Sequence, residues 1–214
     1  MRIACLHTAE SNIAVFDTAA QQLNLPTTSL HHEVREDLLA AAEQAGGLTF
    51  EIERQTRDAI LGLARYADVI LLTCSTLGPS ISAVSAITTI PAIRVDSALA
   101  EEATRVGGKV IALCAVETTL RPTTLLFADA AMRSGADVEV RLVQGAWTLF
   151  KAGEQVAYLA AIAAAADQAY KDGASVVALA QASMAGAAEL VMRAPKPLTS
   201  PATGLVSAMK AALL

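Results

Sequence analysis

The 214-residue chain overlays on itself at an offset of half its length. Two separate segments coincide at that offset: RIACLHTAESN at 2–12 falls on KVIALCAVETT at 109–119, and DVILLTCSTLG at 68–78 falls on SVVALAQASMA at 175–185. Glu10 then pairs with Glu117, Ser11 with Thr118, Cys74 with Gln181 and Thr76 with Ser183. One match between apolar runs arises easily by chance, because Val, Ile, Leu and Ala are common everywhere. Two at the same offset read as a duplication.

Strand-length apolar runs at 2–6, 68–73, 109–113, 138–143 and 175–180 alternate with helical patterns. One helix runs through Gln21; others are predicted at 33–45, 50–66, 97–106, 123–134, 156–171 and 204–214, with Gly173 and Gly107–Gly108 as stops. Alternation of this kind means βα units and mainly parallel sheets flanked by helices. The expected chain is α/β with two similar halves: 1–96 carrying the Cys74 loop, 97–204 carrying the Gln181 loop, and a C-terminal helix at 205–214 that packs back on the first half. Apolar residues make up 54% and aromatics only 4%, so Ala, Leu, Val and Ile supply the hydrophobicity, as in small helices packed on buried strands. The uncharged stretch 69–93 is long enough to cross a bilayer, but Thr73, Cys74, Ser75, Thr76, Gly78 and Pro79 break it into strand, turn and helix. A net charge of −5 leaves no basic surface for nucleic acid or anionic lipid. The N-terminus enters a strand at once, without a signal-peptide pattern, so a cytoplasmic protein is expected. Cys5, Cys74 and Cys114, an odd number at spacings of neither a disulfide framework nor a zinc site, suit a reducing compartment.

Ligands of parallel α/β sheets bind beyond the carboxyl ends of the strands. If the halves face each other across a pseudo-twofold axis, His7, Thr8, Cys74, Ser75 and Thr76 oppose Cys114, Thr118, Thr119, Gln181 and Ser183, with room for a small acid between. Cys74, in LLTCSTLGP, follows a buried strand and precedes a helix start, where N–H groups lower a thiol's pKa; it is either a partly exposed reactive thiol or a small apolar residue. Gln181 either binds a substrate carboxylate or carbonyl, helped by Ser183, or satisfies loop backbone groups. His7 can bind a carboxylate or shuttle a proton, or simply be a hydrogen-bonded strand-end histidine. Thr118 and Thr119 hold an oxyanion or cap a helix; Ser75 and Thr76 carry the same ambiguity. Cys5 reads as core, Cys114 as core or a replacement acid. His31 and His32 read as solvated in a polar connection rather than metal-bound, and Glu33, Glu36 and Asp37 as a solvated helix face. Trp147 is expected to pack in a helix of the second half.

With IACLHTAES, CSTLGPS, ETTLRPT, LAQASMAG and PLTSPATGLVSAM in this order and spacing, nearly the full chain resembles the aspartate/glutamate/hydantoin racemase superfamily, which also contains maleate isomerase and arylmalonate decarboxylase. The resemblance implies two Rossmann-like halves with the site between them, and no metal, pyridoxal phosphate, nucleotide or other cofactor. It also implies two cysteines, one from each half, that remove and return an α-proton. The first matches Cys74; the second falls on Gln181, and a carboxamide cannot carry that proton. The expected function is a cofactor-independent family enzyme acting on a small carboxylic acid or derivative through Cys74. A single-cysteine decarboxylase or cis-trans isomerase and a catalytically silent small-acid-binding protein stand as alternatives. The expected partner is a small carboxylate, neither nucleic acid nor membrane, and a homo-oligomer is left open.

Overall fold

The structure, a computed structural model, describes residues 1–85, 87–105, 107–192 and 195–213. The helix ends expected at Val106 and Leu214 lie outside the described residues. The chain divides into two units, Met1–Ala98 with Pro201–Leu214, and Leu99–Ser200. Each has its own parallel four-stranded sheet flanked by helices, so the α/β fold class expected from the alternating pattern is what the chain adopts.

In the first unit β1 (Ile3–His7) and β3 (Val69–Leu72) form the centre and are buried along their whole length. The outer strands are β2 (Leu30–Val34) and β4 (Ala92–Arg94), giving the order β2-β1-β3-β4. The connecting helices are α1 (Asn12–Gln22), α2 (Glu36–Ala45), α3 (Phe50–Leu63) and the short α4 (Ile81–Ser85). Thr49 opens α3 by accepting a hydrogen bond from the Ile52 N–H. β2 corrects the sequence reading: 30–34 is a strand instead of a polar connection, and Glu33 belongs to it rather than to a helix. Leu30, His32 and Val34 alternate along the strand, and all five backbone positions pair with β1, His32 beside Cys5. Glu36 and Asp37 are exposed in the first turn of α2, where their charge suits the helix dipole.

α5 (Val95–Arg105) leads into the second unit, whose order β6-β5-β7-β8 repeats the first. Its strands are β5 (Lys109–Cys114), β6 (Asp137–Leu142), β7 (Val176–Leu179) and the two-residue β8 (Leu198–Thr199). The helices are α6 (Glu117–Ser134), α7 (Ala146–Lys151) and α8 (Gln155–Lys171), then a 3-10 run at Ala182–Glu189; α9 (Ser200–Ala211) follows and from Pro201 on belongs to the first unit. Strand alternation divides the core by face. Ile111, Leu113, Val177 and Leu179 pack with Tyr158 and Ile162 of α8, while Val110, Ala112, Val176 and Ala178 pack with Leu99 and Ala103 of α5 and Phe127 of α6. Trp147 lies in α7, stacked on Phe150. α6 starts six residues earlier than expected, with Pro122 inside it, because a proline brings no N–H to the ladder but does not forbid helical φ near a helix start. Val116 holds the N-cap position, so Thr118 and Thr119 are first-turn residues and not caps. Gly107, Gly108 and Gly173 have φ of +79°, +76° and +89°, the left-handed conformation that suits a helix stop. Among the described residues no helix is long and apolar enough to cross a membrane.

Candidate active site

Cys74 lies two residues beyond β3, in a loop that the chain turns back through a 3-10 turn at Gly78–Ser80. The thiol takes hydrogen bonds from the Thr8 hydroxyl and from the N–H groups of Leu77 and Thr76, all of which favour the thiolate. Burial outweighs them: Cys74 is only 8% exposed, and desolvation, helped by the Asp96 charge, pushes the thiol above its ordinary value. This corrects the expectation of a partly exposed, acidified thiol. The helix that follows, α4, has five residues and begins seven positions later, too short and too far for its dipole to offset burial. Thr8, Ser75 and Thr76 are buried around the same loop.

The loop also leans on a pair that the sequence reading passed over. Arg94, at the end of β4, makes two hydrogen bonds to Asp96, from Nε at 3.0 Å and Nη2 at 2.8 Å, and Asp96 is almost wholly buried. The guanidinium lies against Gly78, where a Cβ would come within 2.6 Å of Nε.

In the second unit Gln181, two residues beyond β7, turns its side-chain oxygen onto the N–H groups of Ala115 and Val116, the latter at 3.1 Å. That oxygen satisfies loop backbone. Ser183 meets the Tyr158 hydroxyl at 2.9 Å, and burial raises Tyr158 to about 12. Thr119 is buried in the first turn of α6, Thr118 beside it. Cys114 and Cys5 are fully buried strand residues; burial, with the Asp17 charge, pushes Cys5 to about 12.

Of the two roles open to His7, the structure shows the hydrogen-bonded strand-end histidine and not the carboxylate binder. His7 has no exposed surface, and both ring nitrogens are engaged inside the first unit: Nδ1 with Thr73 Oγ1 at 2.9 Å and Nε2 with His32 Nδ1 at 2.8 Å. His32 Nε2 in turn faces Asp17 Oδ1 at 3.3 Å. The ring is therefore committed to internal hydrogen bonds and offers no nitrogen to a carboxylate. His32 is half-buried in β2 rather than solvated, whereas His31 is exposed as expected. The Cys5 thiol and the ring nitrogens of His7 and His32 lie within 4.8 Å of one another, a cluster of metal-ligating types that the sequence reading did not find. Its geometry is that of a hydrogen bond. The rings are 19° from coplanar with centroids 5.1 Å apart, the 2.8 Å N···N distance plus a ring radius on each side, so the nitrogens point straight at each other. Two imidazoles sharing an ion converge on it at an angle instead.

A thiol just beyond the end of a parallel strand, with hydroxyl and N–H donors around it in a duplicated α/β chain, sits where parallel α/β folds bind small molecules. The family model for Asp/Glu/hydantoin racemase matches residues 48–209, and the chain belongs to that family. Three solved structures share its fold. An aspartate racemase homologue from Pyrococcus horikoshii OT3 has a TM-score of 0.68 at 15% identity over 100% of this chain and 99% of its own. Glutamate racemase isoform RacE1 from Bacillus anthracis has a TM-score of 0.73 at 13% identity, covering 98% of this chain and 80% of its own. Allantoin racemase from Pseudomonas fluorescens has 0.68 at 18%, covering 98% and 90%. A search of the curated proteins gives no match.

Proposed function

We propose that the chain is a cofactor-independent enzyme of this family that acts on a small carboxylic acid or its derivative, with Cys74 as the reactive thiol. The observation that carries this reading is the set of three donors, Thr8 hydroxyl and the Thr76 and Leu77 N–H groups, converging on Cys74 at the end of β3. A structural cysteine in an apolar strand needs no such donors; a thiol that carries negative charge during a reaction does. Ser75, Thr76, Thr118 and Thr119 are proposed to hold the substrate carboxylate or the oxyanion that develops from it.

A second reading is favoured by Gln181. It stands where the resemblance puts the family's second cysteine, and its carbonyl oxygen is occupied by backbone N–H groups. A reaction that needs one proton on one face, such as protonation after decarboxylation or thiol addition to an activated double bond, uses Cys74 alone. The chain is incubated in heavy water with amino acids, hydantoins, substituted malonates and maleate while α-deuteration, CO₂ and isomer ratio are followed together. One-face α-deuteration with retention, or CO₂ release, that disappears in Cys74→Ala supports the one-thiol reading. Efficient racemisation by the parent protein abolished by Cys114→Ser would assign the second proton to Cys114. Gln181→Cys is expected to add exchange on the second face for a substrate the parent deuterates without inverting.

A further inference from the structure

The chain Asp17–His32–His7–Thr73 lies on the face of the first unit's sheet beside α1, where Phe16 packs on His7 with ring centroids 5.2 Å apart. Its last member has one proton and two acceptors within reach: Thr73 Oγ1 is 2.9 Å from His7 Nδ1 and 3.0 Å from the Leu6 carbonyl oxygen. Donor and acceptor bookkeeping then allows two complete arrangements. In the first, both imidazoles are neutral: His32 Nε2–H donates to Asp17, His7 Nε2–H donates to His32 Nδ1, and the Thr73 hydroxyl donates to His7 Nδ1. In the second, His32 carries both ring protons: Nε2–H still donates to Asp17, Nδ1–H donates to His7 Nε2, His7 Nδ1–H donates to Thr73, and the Thr73 hydroxyl turns to Leu6. The first holds three protons on these groups and the second four. Every ring nitrogen is partnered in both, and the Leu6 oxygen keeps the Thr73 backbone N–H at 3.1 Å in either case.

We propose that these four residues form a one-proton switch: uptake of a proton by His32 reverses the His32–His7 and His7–Thr73 hydrogen bonds, changes the tautomer of His7 and reorients the Thr73 hydroxyl. His32 is the ring that takes the charge because it faces the Asp17 carboxylate and is part-exposed, whereas His7 has no exposed surface. Burial first, then the neighbouring His32, pushes His7 down to about 3, so His7 relays the change while staying neutral. The groups facing His32 are Asp17 from α1 and Cys5 and His7 from β1; Cys5 is a neutral thiol, and His31 and Glu33 alternate to the other face of β2. The residue whose hydroxyl turns leads directly into Cys74. The switch does not rest on the catalytic reading, since its signature is read on the imidazoles themselves.

Long-range ¹H–¹⁵N correlation of the imidazole rings of the full-length protein, titrated from about pH 9 to about pH 4, reports charge and tautomer of each histidine separately. The expected result is that His7 passes from the Nε2–H to the Nδ1–H tautomer, without becoming charged, at the same midpoint at which His32 gains its second proton. Asp17→Asn keeps an oxygen acceptor for His32 but removes the charge, and is expected to move both transitions together to lower pH. The proposal is overturned if His7 holds one tautomer through the protonation of His32, if His7 charges in step with it, if His32 takes up no proton while the protein stays folded, or if Asp17→Asn leaves the midpoint where it was.

Discussion

The loops that follow β3 and β7 occupy the same place in the repeat and reach the same neighbour. Cys74 meets Thr8, the first residue after β1; Gln181 meets Ala115, the first residue after β5, and the two partners are themselves equivalent under the duplication. The backbone beneath them is shared. β3 pairs with β1 from Ile3 opposite Val69, and β7 pairs with β5 from Val110 opposite Val176, one register in both units. Thr73 N–H donates to Leu6 oxygen at 3.1 Å as Ala180 N–H donates to Leu113 oxygen at 3.0 Å. The direction of the contact is shared, the loop side chain accepting in both; what differs is the accepting atom. In the first unit it is a thiol sulfur, which can ionise, and the donors are the Thr8 hydroxyl and the Thr76 and Leu77 N–H groups; in the second it is a carboxamide oxygen, which cannot, and the donors are the Ala115 and Val116 N–H groups just ahead of α6. On the proposed function, the duplicated frame holds one loop as chemistry and the other as structure; where the buried polar chain has His7 and Thr73, the second unit has Cys114 and Ala180.

The largest effect that tests this contrast is on turnover. Cys74→Ser is expected to lower kcat on the substrate found in the heavy-water screen by roughly 10³-fold or more while circular dichroism and melting stay close to those of the parent. An equal loss from Gln181→Ala would erase the distinction between the loops. Because burial raises the thiol's pKa, the active thiolate accumulates as pH rises, so kcat/KM of the parent should climb through neutral pH and level off only on the alkaline side. A plateau below neutral pH would contradict the buried thiol.

Acid is expected to separate the units next. His7 binds its proton less tightly folded, about 3, than unfolded, 6.5, so the stability it contributes is present above pH 6.5 and is lost as pH falls towards 3, at about 1.4 kcal/mol per pH unit. All three histidines are in the first unit, so hydrogen exchange should show β1 and β2 losing protection before β5 and β6. Simultaneous loss would mean that the units do not respond separately. Gln181→Ala leaves two N–H groups without their acceptor and should cost about 1–3 kcal/mol by denaturant titration. Tyr158→Phe, which removes only the partner of Ser183, should cost about 1 kcal/mol.

The central strands were legible because a strand buried on both faces is an uninterrupted apolar run, and the same runs carried the duplication. Of the outer strands only β6 was, as the run at 138–143. β2 is LHHEV, whose polar residues suit a half-covered edge as well as a loop, and β8 has two residues, too few for any period to show. The alternation of Leu30, His32 and Val34 was the available signal for β2. At the site, Cys74 was singled out from its position after an apolar run and before Gly-Pro, but its burial and the convergence of Thr8, Thr76 and Leu77 on it come only from tertiary packing. The Asp17–His32–His7–Thr73 chain joins four elements or loops that no spacing in the sequence relates, and only strand pairing brings His32 beside β1.

Gly78 bears on how this loop can change over evolutionary time. Its backbone dihedrals demand nothing special; size alone fixes it, because the Arg94 guanidinium fills the space of its missing side chain. Even an alanine requires that guanidinium to move, and how far it moves decides whether its hydrogen bonds to the buried Asp96 carboxylate survive. Positions 78, 94 and 96 therefore form one epistatic unit: a substitution tolerated at any of them on its own is expected to be rare, and variants that broaden substrate range through this loop should arise with all three altered together.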